Sequence, residues 1–239
     1  MLSNLMTNHS SPRLSNFGFV RFSFVLTRRI RANVILCMSA LWCITTAAST
    51  QQSYFPIKTK AGDEGVTAFE SKWYGESLKR MNEPRLPELA RDANADIYRL
   101  IILPTWGNSI VVRVQRHGEL FSLSARRLDG QAGYNPGKLV ESKDIELDAD
   151  DSRTLGALIQ NLNFFKLSTE DGVEGNDGDE WIIEGVSDGR YHLVQRWCAF
   201  AVNPAKRGLQ PFLALCRFLV DKSMLSEAPK NKGHNLFSR

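Results

Sequence analysis

The sequence predicts an α+β fold: one domain in which an antiparallel sheet of about five to six strands packs against three helices. Three observations point there. Short runs rich in branched and aromatic residues follow one another across turn signals. Three other segments repeat apolar residues every three to four positions. Two of the inter-strand turns are short enough to join only antiparallel neighbours. At 239 residues the chain is long enough for one sizeable core.

Taken in order, the first helix spans about Thr67 to Met81, with Phe69, Trp73, Ser77, Leu78 and Met81 at helical spacing. Pro84 and Pro87 end it. Ile97 to Leu103, Ser109 to Arg116 and Glu119 to Leu128 read as a three-strand meander, the last two joined by a tight turn at His117-Gly118. Val112, Val114, Phe121 and Leu123 are its candidate buried positions, alternating with Arg113 and Gln115. Asp129 to Gly137 is glycine-rich, but no Lys-Ser/Thr pair opens a helix after it, so it reads as a loop and not as a phosphate cradle. A fourth strand is expected near Leu139 to Leu147. Asp148 to Ser152 offers several N-cap residues for a helix whose face is Leu155, Leu158, Ile159, Leu162 and Phe165. Trp181 to Val186 and Arg190 to Trp197 form a second hairpin around Asp188-Gly189. The last helix opens near Pro211 and turns Phe212, Leu215, Cys216 and Leu219 inward.

The N-terminus has a different character. Arg28-Arg29-Ile30-Arg31 precedes an apolar run from Ala32 to Ala48 that closes on small residues, the charged, apolar, small-residue order of a secretory signal. Cleavage after Ala48, the preferred site, or after Ser49 suits the small-side-chain requirement, and initiation at Val25 or Leu26 would leave a signal of ordinary length. The expected division is therefore a signal over 1–48, a polar linker over 49–66, the folded domain over 67–225 and a loose tail over 226–239. The apolar run is short for a membrane span, which takes roughly 20 residues, so no firm anchor is expected. An uncleaved inner-membrane segment is the alternative to a periplasmic or secreted protein. Neither Cys37 nor Cys43 has the small neighbours of a lipid-attachment site.

Charge excludes one class of partner. The first 48 residues hold five arginines and no acid, which leaves 25 basic against 26 acidic side chains in the rest of the chain. A nearly neutral body without a Lys/Arg stripe lacks the footprint that a phosphate backbone requires, so nucleic acid is not an expected partner. Beyond the signal only Cys198 and Cys216 remain. In an oxidising compartment they can form a disulfide, and they can equally be two small buried hydrophobes.

Four segments in sequence, Gly133-Tyr134-Asn135-Pro136-Gly137-Lys138-Leu139, Asn163-Phe164-Phe165-Lys166-Leu167, Asp177 to Gly185 and Gly189 to Trp197, resemble a family of uncharacterised exported bacterial proteins. The resemblance covers about residues 97–222. It implies export and a single domain and brings no activity with it. Members often continue Arg-Trp with Ser-Pro where this chain has Cys198-Ala199.

The densest polar cluster lies on the second hairpin. A two-residue Asp188-Gly189 turn pairs Trp181 with Arg196, Ile183 with Val194 and Gly185 with His192 on one face, and sends Glu184, Tyr191, Leu193 and Trp197 to the other. Trp181, Glu184, Tyr191, His192, Arg196 and Trp197 are therefore the candidate binding residues, although Arg196 stacked on Trp181 would be structural. No serine elbow, zinc spacing or cofactor motif accompanies them, so no catalytic residue, metal or cofactor is assigned. The loop from Glu170 to Glu180 has the carboxylates and glycines of a calcium loop, but Val173 breaks the ligand alternation and a solvated loop is expected. The expected function is a non-catalytic binding or structural module of the cell envelope that takes an envelope protein or peptide. The alternative is an envelope hydrolase centred on His192.

Overall fold

The computed structural model describes residues 53–60 and 64–237. The expected signal and its two cysteines lie outside the described residues. The folded unit is built on a six-stranded sheet of order β4-β3-β2-β1-β5-β6, in which every neighbouring pair is antiparallel. Its strands are β1 (Ile97–Pro104), β2 (Ile110–His117), β3 (Leu120–Leu128), β4 (Leu139–Glu146), β5 (Asp179–Ser187) and β6 (Arg190–Trp197). The helices are α1 (Ala68–Arg80), a single turn α2 (Leu86–Leu89), α3 (Ala149–Leu162) and α4 (Gln210–Lys222). A small hairpin of β7 (Lys230–Asn231) and β8 (His234–Asn235) follows. The α+β class and the antiparallel sheet are those that the sequence predicts.

Helices cover both faces. On one, Leu155, Ile159 and Leu162 of α3 and Phe212, Leu215, Cys216 and Leu219 of α4 share a cluster with Leu100, Val112, Val114, Phe121, Leu123, Ile183 and Val194. On the other, Tyr74, Leu78 and Met81 of α1 meet Ile101, Leu103, Val111, Ile182 and Leu193. Consequently β1 is buried along its whole length. A strand packed on both faces reads as a continuous apolar run, as Ile97 to Leu103 does apart from Arg99.

Hairpin geometry follows the turn residues. Asp188 and Gly189 both take positive φ, 52° and 71°, the type I′ arrangement that matches strand twist. The resulting register pairs Trp181 with Arg196, Ile183 with Val194 and Gly185 with His192, as the turn predicts. Between β2 and β3 the turn sits one residue later than expected: His117 pairs with Leu120, and Gly118, at φ 63°, takes the first turn position.

Three segments depart from expectation. Phe69 does not face the core but is 73% exposed, because Thr67 and Glu70 form a reciprocal capping box that sets the phase of α1 and turns Ser71 and Tyr74 inward. The expected linker is docked: Phe55 and Val66 are buried, the Lys58 N–H donates to the Val66 carbonyl, and the Val66 N–H donates to the Pro56 carbonyl. The expected loose tail is docked too. Leu236 joins the core, the Phe237 ring lies 5.7 Å from that of Trp181, and the buried Asn231 amide donates to the Gly178 carbonyl and accepts from the Trp106 backbone N–H. Two apolar residues and one amide are enough to order a polar stretch when the body offers matching groups. Among the described residues no helix is long and apolar enough to cross a membrane.

Candidate functional site

The α1-facing side of β5 and β6 carries two carboxylates, Glu180 and Glu184, in very different settings. Glu184 sits beside the central strand and is fully buried. Arg99 of β1 donates to its Oε2 through Nε at 2.9 Å and Nη2 at 2.5 Å, and the Tyr191 hydroxyl donates to Oε1 at 2.7 Å. Arg99 also reaches the Pro84 carbonyl at 2.6 Å and Glu83 at 3.4 Å, and Arg113 meets the same Glu83 at 3.0 Å. Burial raises the Glu184 pKa, while Arg99 and Tyr191 pull against that rise. For Arg99 burial acts downward, but Glu184 and Glu83 raise its pKa on balance and hold the guanidinium charged. A buried charge persists only when it is paired and bonded in this way.

Glu180 lies at the outer end of the same strand face and lines a cleft of about 420 Å³. Besides β5 itself, the walls come from five segments: Lys58 before α1, Glu70, Trp73 and Tyr74 of α1, Thr105 after β1, the loop from Glu170 to Gly178, and Gln195 with Trp197 of β6. No hydrogen bond or ion pair satisfies the Glu180 carboxyl among the described residues. Burial, and then the charges of Glu70, Asp179 and Glu170, push its pKa up to about 8. The group is thus largely protonated at neutral pH.

The loop is held over β6 by specific bonds. Gln195 donates its backbone N–H to Thr169 at 2.8 Å, extending the sheet edge. Arg207 grips Asp171 with Nε at 2.8 Å and Nη2 at 3.2 Å. Burial acts upward on Asp171, but these bonds bring its carboxyl below the usual range. Arg196 donates to the Thr169 and Ser168 carbonyls at 2.9 and 3.0 Å. Glycine is required at 175 and 178, where a Cβ would collide with the Trp197 ring and with Cys198 Sγ. The glycines that suggest calcium in the sequence therefore serve close approach to an indole. Among the described residues no three His, Cys, Asp or Glu side chains converge into a metal-ligating group.

Within the cleft the Gln195 amide donates to Glu70 Oε1 and to Glu170 Oε1, each at 3.3 Å, and its own Oε1 is buried without a partner. Glu70 accepts the Thr67 N–H at 2.7 Å, so the capping residue of α1 is also a wall of the cleft. The Lys58 ammonium lies 2.5 Å from Glu170, which raises its pKa.

Of the residues the hairpin singles out, Trp197 alone lines this cleft. Trp181 is buried against Phe200, ring centroids 4.7 Å apart, and donates its indole N–H to Asp179. Glu184 and Tyr191 belong to the buried Arg99 network. His192, on the opposite face from Glu184, bonds the Leu167 carbonyl at 2.9 Å and packs on Phe164. Arg196 anchors the loop instead of stacking on Trp181. Cys198 and Cys216 are both free and buried, the second of the two alternatives in the sequence. Burial and the Asp179 charge push the Cys198 thiol up to about 12, and burial pushes Cys216 well above the ordinary range, so neither is a ready nucleophile.

Fold and site together define an antiparallel-sheet α+β domain with an acidic, aromatic-walled cleft at one end of its outer strands. No family model, curated protein or solved structure matches the chain.

Proposed function

We propose that this is an exported, non-catalytic binding module of the bacterial cell envelope, and that its ligand places an organic cation in the cleft beside Glu180. One observation carries the reading: a half-buried carboxyl on a rigid strand, surrounded by other carboxylates and, among the described residues, without a hydrogen bond or ion pair of its own. Six acidic side chains line the cleft against the single cation Lys58, so a positive ligand gains from each of them. Trp73 and Trp197 supply ring surfaces, which favour an ammonium or guanidinium on an organic stem over a bare ion. Export rests on the charged, apolar, small-residue order of the N-terminus and on the resemblance to exported proteins.

The test is calorimetric titration with trilysine in buffers of different ionisation enthalpy, which counts the protons released. At pH 7 a carboxyl of pKa about 8 is about nine-tenths protonated, so cation binding expels close to one proton. Affinity then rises with pH up to about 8 and levels off above it. In Glu180→Gln both the proton release and the pH dependence vanish. Trilysine bound equally by both proteins, or bound without proton release, overturns the reading.

A further inference from the structure

Next to the acidic cleft lies a second hollow of about 540 Å³. The two share Phe69, Trp73, Thr105 and Asn176, so the Phe69–Trp73 edge of α1 is the ridge between them. The far side of the second hollow is Ala132, Tyr134 and Pro136 of the loop before β4. Its wall is fixed: the Trp73 indole donates to the Ala132 carbonyl at 2.5 Å, and the Tyr134 ring lies 4.7 Å from that of Trp106. Phe69 and Tyr134, 73% and 64% exposed, are among the largest apolar side chains the domain leaves in water. An acidic hollow and an aromatic hollow thus meet along one helix edge.

We propose that the ligand is an extended peptide segment with a Lys or Arg side chain close to an aromatic one, the cation entering the cleft at Glu180 and the ring entering the hollow between Phe69 and Tyr134. This rests on the cation-binding reading above and names the ligand class. Three observations fit a peptide. Alternate side chains of an extended chain point the same way about 7 Å apart, so two of them can enter neighbouring hollows that share a wall. Gln195, only 9% exposed, lines the acidic hollow and leaves its carbonyl oxygen buried without a partner, an acceptor that a small rotation of the amide would offer to the N–H donors of an ammonium or guanidinium. The charge of that hollow selects the basic side chain, while Phe69, Trp73 and Tyr134 offer the ring its stacking partners.

The experiment uses the tryptophan fluorescence of the domain and three peptides: acetyl-Ala-Lys-Ala-Phe-Ala-amide, the same peptide with Ala in place of Phe, and the same peptide with norleucine in place of Lys. The Lys/Phe peptide is expected to bind at least tenfold more tightly than either of the others. Tyr134→Ala is expected to bring its affinity down to that of the Lys/Ala peptide, and Glu180→Gln down to that of the norleucine peptide. Both substitutions are at sites that open to solvent or to the cleft, and a cooperative thermal transition no lower than that of the parent certifies the fold of each. Equal binding of the Lys/Phe and Lys/Ala peptides overturns the two-hollow proposal and leaves the cation reading standing. Equal binding of the Lys/Phe and norleucine peptides overturns the cation reading and the peptide proposal with it. Binding of anionic vesicles in preference to all three peptides also overturns it.

Discussion

Glu184 and Glu180 stand four residues apart on the same strand and face, and the protein treats them in opposite ways. Glu184 lies beside β1, opposite Arg99, and receives three hydrogen bonds from Arg99 and Tyr191. Glu180 lies where β5 has passed the reach of Arg99, next to Glu70 and Glu170, and receives none among the described residues. The difference separates a buried acid that holds the fold together from a half-buried one that, on the proposed function, a ligand cation would satisfy. A satisfied network resists removal of any member, whereas an unsatisfied group costs stability that a partner can return.

The largest effect should come from breaking the satisfied side. Arg99→Met leaves Glu184 buried without its cation and is expected to cost about 3–5 kcal/mol in urea denaturation. Adding Glu184→Leu should recover part of that loss, and no recovery would mean that the pair does not act as a unit. The opposite sign is expected at Glu180. Its folded pKa of about 8 lies above the ordinary 4.5, so its contribution is fully present below pH 4.5 and is lost as pH rises through about 8. Glu180→Gln keeps the neutral form throughout and should gain roughly 2–4 kcal/mol at pH 9 and nothing at pH 4. A stability difference that does not vary with pH would equate the two glutamates.

Smaller effects sharpen the contrast. Arg207→Met frees Asp171 and with it the loop over Trp197, at a cost of about 2 kcal/mol and with faster amide exchange confined to residues 169–178. Tyr191→Phe removes one bond to Glu184 while Arg99 remains, and should cost about 1 kcal/mol. It should leave trilysine binding at Glu180 unchanged, which calorimetry can check.

The two regions were also unequally legible. The Glu184 side follows from local rules: Asp188-Gly189 fixes the hairpin register, and period-two alternation then places Glu184 with Tyr191 and away from His192. That Arg99 completes the set is less visible, since an arginine in an apolar run reveals its partner only once β1 is known to lie between β2 and β5. The cleft is harder still. Its walls come from residues near 70, 105, 170 to 180 and 195 to 197, and no spacing within any one segment marks them as a group. Two signals were nevertheless present. Thr67-x-x-Glu70 is a capping-box pattern that corrects the phase of α1 and frees Phe69 for the surface. Alternation along Glu180, Ile182 and Glu184 puts a second acid on the buried face of β5, where composition alone suggests a solvated loop.

The most direct test of the central claim is the titration of the Glu180 side-chain carboxyl, followed by carbon-detected NMR with Glu180→Gln to assign the resonance. A midpoint near 8, falling when trilysine is added, is the result predicted for an unpaired acid in a cation-binding cleft. A midpoint near the ordinary 4.5, unmoved by trilysine, would contradict it.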